Sequence, residues 1–257
     1  AATDPGGALA RLGEGETRLE LNGAWRKGAL GVETLNLASP ALAVQASGAL
    51  GPDSRLSGDY AWSGGAPVDA VTLTGALVGA FEAGYADGAL DVRAQARTER
   101  LEAGPAVLQD PRLRVEAQGP LETIEGELRL DSQSPRGRID IAGAFARESD
   151  GVRLTGLGGV VADWSVSGEA LVGRRPRADI TLTAGADRRV TARVREAGDG
   201  VEARIEAENL SLGDLQYVDR LVLTGRGELD ALALEIAAAG ALGGVFDLDA
   251  EGELALR

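Results

Sequence analysis

ADITLTAGADRRVTARVREAGDGVEARIEAEN, residues 178–209, contains three alternating segments in succession. Ile180, Leu182 and Ala184 oppose Asp179, Thr181 and Thr183. Val190, Ala192 and Val194 oppose Thr191, Arg193 and Arg195. Val201, Ala203, Ile205 and Ala207 oppose Glu202, Arg204, Glu206 and Glu208. A period of two sends successive side chains to opposite faces of a pleated strand, so each segment reads as a strand with one apolar and one wet face. The breaks, Gly185-Ala186-Asp187 and Gly198-Asp199-Gly200, carry residues that accept the positive φ of tight turns. The unit is an antiparallel meander with its apolar side chains on one side.

The rest of the chain repeats this unit. Short strands are expected at 16–21, 28–37, 41–50, 56–63 and 68–77, the last two joined by a turn at Gly64-Gly65-Ala66-Pro67. Leu90, Val92, Ala94 and Ala96 alternate with Asp91, Arg93, Gln95 and Arg97. Residues 101–108 are less regular, and 112–119, 124–131 and 138–145 alternate again. Two strands are expected within 152–172, a pair at 221–229 and 231–237, and a last strand from Phe246 to the end. One segment departs from the period of two: Leu212, Leu215, Val218 and Leu221 recur every three residues after Gly213-Asp214. This spacing predicts a short amphipathic helix near 213–220 with Asp as its N-cap, the alternative being a further irregular strand. Residues 1–15, small and Gly-rich, read as a flexible start or linker, and 16–257 as a single elongated segment.

Composition narrows the function. The chain has 257 residues and no Cys, His or Met. Without Cys there are no disulfides and no thiolate chemistry, and without His the commonest general base and metal ligand is missing. A chain without Met does not start at an initiation codon, and the expectation is a processed form or a segment cut from a longer protein. Aromatic residues make up only 4%, so the apolar face is built of Ala, Leu, Val and Ile with much Gly. A net charge of −14 argues against nucleic acid, which requires Lys and Arg to displace its counterions. No run approaches the roughly 20 apolar residues of a membrane-spanning helix.

No catalytic constellation emerges. The acid pairs Glu206 with Glu208 and Glu251 with Glu253 lie on polar strand faces, where solvated acids are common. Gly156-Leu157-Gly158-Gly159 lacks the Lys and Ser/Thr of a phosphate loop, and the calcium-binding nonapeptide of β-rolls is absent. Trp25, Trp62 and Trp164 read as sheet packing, with a lipid or ligand contact as the alternative. The expectation is a chain that is not an enzyme and carries no cofactor or metal. Its candidate site is the apolar face itself: Leu90, Val92, Leu113, Val115, Leu128, Leu130, Ile139, Ile141, Ile180, Leu182, Val190, Val194, Val201, Ile205, Leu221, Leu223, Leu232, Leu234, Ile236, Phe246, Leu248 and Leu254.

Three stretches carry a family resemblance: LNLASPALAVQASGAL (35–50), RLEAGPAVLQDPRLRVEAQGPL (100–121) and NLSLGDLQYVDRLVLTGRGEL (209–229). Their Leu-alternating strands, strand ends of the form Gly-x-Leu and late NLSLGDL step resemble the middle, β-rich part of the TamB family. That family comprises the inner-membrane subunits of the translocation and assembly module and is related to the AsmA-like bridge proteins. The resemblance implies an all-β fold, a long and mostly antiparallel sheet curled into a β-taco with a hydrophobic trough. It implies a place in the periplasm of a Gram-negative bacterium, with anchoring in the inner membrane through a part outside this chain. Phospholipid acyl chains would be carried in the groove between the inner and outer membranes. An Omp85-class outer-membrane barrel, TamA-like, would be the partner of the full-length protein in outer-membrane protein assembly. Roughly 18 strands at about 4.8 Å spacing would make a trough on the order of 85 Å long. The competing reading is a closed β-sandwich or solenoid, a structural stalk or adhesin segment whose apolar faces seal against each other.

Overall fold

The computed structural model describes residues 17–68, 71–103, 106–173, 175–198, 200–211, 216–228, 231–242 and 245–255. Among them are eighteen strands and no helix. The strands are β1 (Arg18–Arg26), β2 (Ala29–Ala38), β3 (Leu42–Leu50), β4 (Ser54–Val68), β5 (Val71–Ala86), β6 (Ala89–Arg97), β7 (Arg100–Ala103), β8 (Ala106–Gly119) and β9 (Glu125–Ser134). They continue as β10 (Gly137–Glu148), β11 (Gly151–Val161), β12 (Trp164–Gly173), β13 (Arg177–Ala184), β14 (Arg188–Ala197), β15 (Gly200–Ser211), β16 (Gln216–Glu228), β17 (Ala231–Leu242) and β18 (Val245–Ala255). The fold is all-β, a long antiparallel sheet whose strands pair mainly with their neighbours in sequence. The chain divides into two compact units, Ala1–Asp140 and Ile141–Arg257.

In the first unit β1 to β6 form an unbroken meander. Between β5 and β6 the turn is Asp87-Gly88, with φ of 51° and 80°. Positive φ at both central residues matches the right-handed twist of the strands that a two-residue hairpin joins. The irregular stretch 101–108 is β7 turning into β8. β7 continues β6 along β5, since Val78 faces Arg97 while Gly75 faces Leu101. The interruption is a bulge at Thr98-Glu99 opposite Asp110-Pro111, where Asp110 has a φ of 48° and its N–H donates to the Glu99 carbonyl at 2.9 Å. The expected turn at residues 64–67 is strand instead. β4 runs on to Val68, and Gly64 pairs with Gly75 rather than opening a hairpin.

In the second unit β11 to β18 pair in order. The three segments of the decisive stretch are β13, β14 and β15, in the register their alternation requires: Ile180 faces Ala192, and Ala192 faces Ile205.

The expected helix near 213–220 is corrected. From Gln216 the chain is the strand β16, while residues 213–215 lie outside the described residues. The three-residue spacing has another cause. Tyr217 and Val218 pair with Ala241 and Gly240, but Arg220 pairs with Ala239, so Asp219 is one residue in excess over β17. On β15, Asn209 stands at the same level with a φ of 56°. A bulge lets Val218 and Leu221 share a face although they are three apart, which a periodicity count cannot distinguish from a helical turn. Similar shifts occur in β2 between Val32 and Leu35 and in β11 between Leu154 and Leu157.

Among the described residues the buried apolar side chains are few and mostly small. Ala46, Ala96, Ala117, Ala184 and Ala207 are among them, with Val32, Trp62, Leu101, Ile139, Val201 and Val218.

Candidate functional site

Cross-strand register assembles the apolar residues into rows. In the second unit one row runs Val166, Leu182, Val190, Ala207, Leu221, Ala238, and the next Gly168, Ile180, Ala192, Ile205, Leu223, Ile236. A third joins Ala178 to Val194 and Ala203, and Val201 faces Gly227 in a fourth. The backbone register of β17 and β18 extends these rows to Leu232, Leu234, Phe246, Leu248 and Leu254, whose side chains lie outside the described residues. In the first unit the rows run Leu56, Ala83, Val92, Ala117; Phe81, Ala94, Val115, Leu128; and Tyr60, Gly79, Ala96, Leu113, Leu130. Leu90 faces Tyr85 and Gly119 beside them. Arg138 and Asp140 bond to Asp131 and Arg129 on the charged side of β9, which leaves Ile139 and Ile141 for the other face.

The face is accessible. Of the candidate residues with described side chains, Ile139 and Val201 are buried, Leu113 and Ile205 are 37% exposed, and the others are half-buried. Further members escaped the reading of the sequence: Leu37, Val44, Leu56, Tyr60, Phe81 and Val166. Their strands mix Gly and Ala into both faces, which flattens the alternation. In the structure Phe81 faces Gly58 and Tyr60 faces Gly79, pairings that no single strand's sequence carries.

Gly58 and Gly79 are sterically required, as is Gly168 opposite Ile180, where a Cβ would lie 2.2 Å from the Asp179 carbonyl oxygen. A Cβ on Gly58 would lie 2.0 Å from the Gln45 carbonyl oxygen, and one on Gly79 would lie 2.0 Å from that of Gln95. Only Gly allows neighbouring backbones to approach this closely. The Tyr60 ring covers Gly79 and its hydroxyl donates to the Gln95 carbonyl at 3.2 Å. Burial raises the pKa of that phenol. The three tryptophans differ. Trp62 is buried opposite Leu77, Trp25 is 69% exposed opposite Leu30, and Trp164 is half-buried with the Arg188 guanidinium 5.2 Å from its ring centroid.

The opposite face is charged. Arg204 binds Glu206 at 2.6 Å, Arg226 binds Glu202 at 2.8 Å, and Arg153 binds Glu148 at 2.6 Å. The Arg204 hydrogen bond is the main reason the Glu206 carboxyl is held below its ordinary pKa. Such exposed pairs contribute little stability. Glu206 is committed to Arg204, and the side chains of Asp247, Asp249, Glu251 and Glu253 lie outside the described residues. Among the described residues no group of acidic side chains is placed to hold a metal ion.

The apolar face bears alkyl groups, and its chemistry is to remove apolar material from water, at about 0.8 kcal/mol per methylene. Comparison of the chain with protein-family models, with curated proteins and with solved structures found no match.

Proposed function

We propose that this chain is a non-enzymatic segment of a periplasmic bridge, whose apolar face carries phospholipid acyl chains between the inner and outer membranes of a Gram-negative bacterium. A TamB-like protein containing it would engage an Omp85-class barrel through its other parts. One observation carries the reading: each unit has rows of aliphatic side chains that are ordered by register yet only half-buried. A closed sandwich would bury its leucines and isoleucines completely. Here Leu90, Leu128, Leu182, Leu223 and Ile236 retain exposed surface, and the buried set is mostly alanine and valine. A palmitoyl chain has about 14 methylenes, so full burial is worth on the order of 11 kcal/mol and half burial about half of that. Because the gain is spread along the rows, no single position becomes a trap.

The test is lipid extraction and native mass spectrometry of the purified chain, alongside a variant carrying Ile180→Asp, Val194→Asp and Ile205→Asp. Phospholipid should co-purify with the parent and be lost from a variant whose circular dichroism is unchanged. A folded parent free of lipid, or a folded variant that retains it, would sink the proposal.

A further inference from the structure

The charged face holds a feature that the apolar-face reading does not use. Arg97 on β6 stands directly opposite Arg112 on β8, and Arg114 directly opposite Arg129 on β9. Like charges facing each other across strands are destabilising. The carboxylate directly opposite Arg112 could relieve this, but it is engaged elsewhere. Asp131, opposite Arg112, binds Arg138 at 2.9 Å, and Asp140 takes both Arg129 and Arg138. The side chains of Arg97, Arg112 and Arg114 make no ion pair or hydrogen bond among the described residues. This occurs in a chain with 40 acidic against 26 basic residues.

The three arginines line one hollow of about 920 Å³, whose floor is small and apolar: Ala43, Ala61, Val78 and Ala80. Val78 is 49% exposed on this face. Asp59 is the one carboxylate among the described lining residues, so the hollow carries a net charge of +2. The larger hollow beside it mixes signs instead, with Arg55 and Arg93 against Asp53, Glu82, Asp91 and Glu125. A volume near 900 Å³ lies within the usual range of small-molecule sites, roughly 300–1,000 Å³.

We propose that Arg97, Arg112 and Arg114, with the floor around Val78, bind a phosphate group carried on an apolar body, that is, a phosphate-bearing amphiphile. Arginine forks match phosphate oxygens two at a time, and directly opposed residues lie close enough to grip one group from two sides. The phosphate relieves the repulsion between the arginines, and the apolar body covers Val78 and the alanines. An extended acidic peptide fits less well, because β5, β6 and β8 are paired on both sides and offer no free backbone edge. This site lies on the face opposite the aliphatic rows and does not depend on the bridge reading.

The experiment titrates the chain with dihexanoyl phosphatidic acid below its micellar concentration, following the arginine Nε–H and methyl resonances by NMR. The signals of Arg97, Arg112, Arg114 and Val78 should shift together and saturate. Inorganic phosphate should bind at least tenfold more weakly and leave Val78 unmoved. The Arg97→Gln, Arg112→Gln double variant should lose at least tenfold in affinity while its Tm stays equal or rises, because a like-charge pair has been removed. Shifts confined to Ile205 and its row would place the lipid on the apolar face alone and overturn this site. Phosphate binding as tightly as the lipid would overturn the role of the apolar body, and a fall in Tm would assign the arginines to structure instead.

Discussion

At the residue scale, glycine has two separable roles. Gly88 has a φ of 80° and open space where a Cβ would project, so its requirement is conformational. Gly58 instead faces a carbonyl oxygen and the Ala46 side chain at contact distances too short for any Cβ, so its requirement is space. Gly88→Ala should cost about 1 kcal/mol. Gly58→Ala should cost more, about 1–3 kcal/mol, because two paired backbones must separate. Thermal unfolding of the two variants checks the order, and equal or inverted losses would remove the close-approach argument. The Asp-Gly pair at 87–88 is a hairpin signal legible in the sequence, whereas the requirement at Gly58 lies in the strand across from it.

At the scale of the element, the bulge at Asn209 and Asp219 decides how β15 and β16 keep one apolar face. Ala207 and Leu210 are three apart, as are Leu221 and Val218, yet Ala207 faces Leu221 and Leu210 faces Val218. Asn209 adopts the left-handed conformation and its amide donates to the Asp187 carbonyl at 2.9 Å, tying the bulge to the turn after β13. Asn209→Val, β-branched at a positive φ, should cost about 1–2 kcal/mol. Asn209→Gly, which keeps the conformation but loses the hydrogen bond, should cost less. Chemical denaturation of the two variants measures the difference, and a valine variant as stable as the glycine one would refute the bulge geometry. The same spacing explains the mistaken expectation of a helix. A bulge and a helical turn both bring residues three apart to one side, and only the partner strand distinguishes them.

At the scale of the whole molecule, the consequence of a half-buried aliphatic face is access for apolar guests in the native state. A neutral hydrophobic dye such as Nile red should fluoresce strongly with the folded chain at neutral pH and be displaced by lysophospholipid. The same sample should still unfold cooperatively on heating, which separates this behaviour from that of a loosely packed globule. A native chain that leaves the dye dark would have its rows sealed. A net charge of −14 favours the solubility of such a surface.

Alternation of the kind seen in Ile180, Leu182 and Ala184 was enough to establish strands, the all-β class and the assignment of residues to faces, because the period of two is built into the covalent geometry of an extended chain. Short Gly and Asp breaks were enough to make neighbours in sequence pair. Tertiary structure decided what depends on residues far apart. It carried the apolar face across the bulges at Val32, Leu154 and Val218, ran β4 through its glycines to Val68, and left Leu90 and Leu223 half-covered. It also set Arg97 against Arg112, fifteen positions away in sequence. Such outcomes follow from cross-strand register and from what covers each face, and neither is carried by the order of side chains along a single strand.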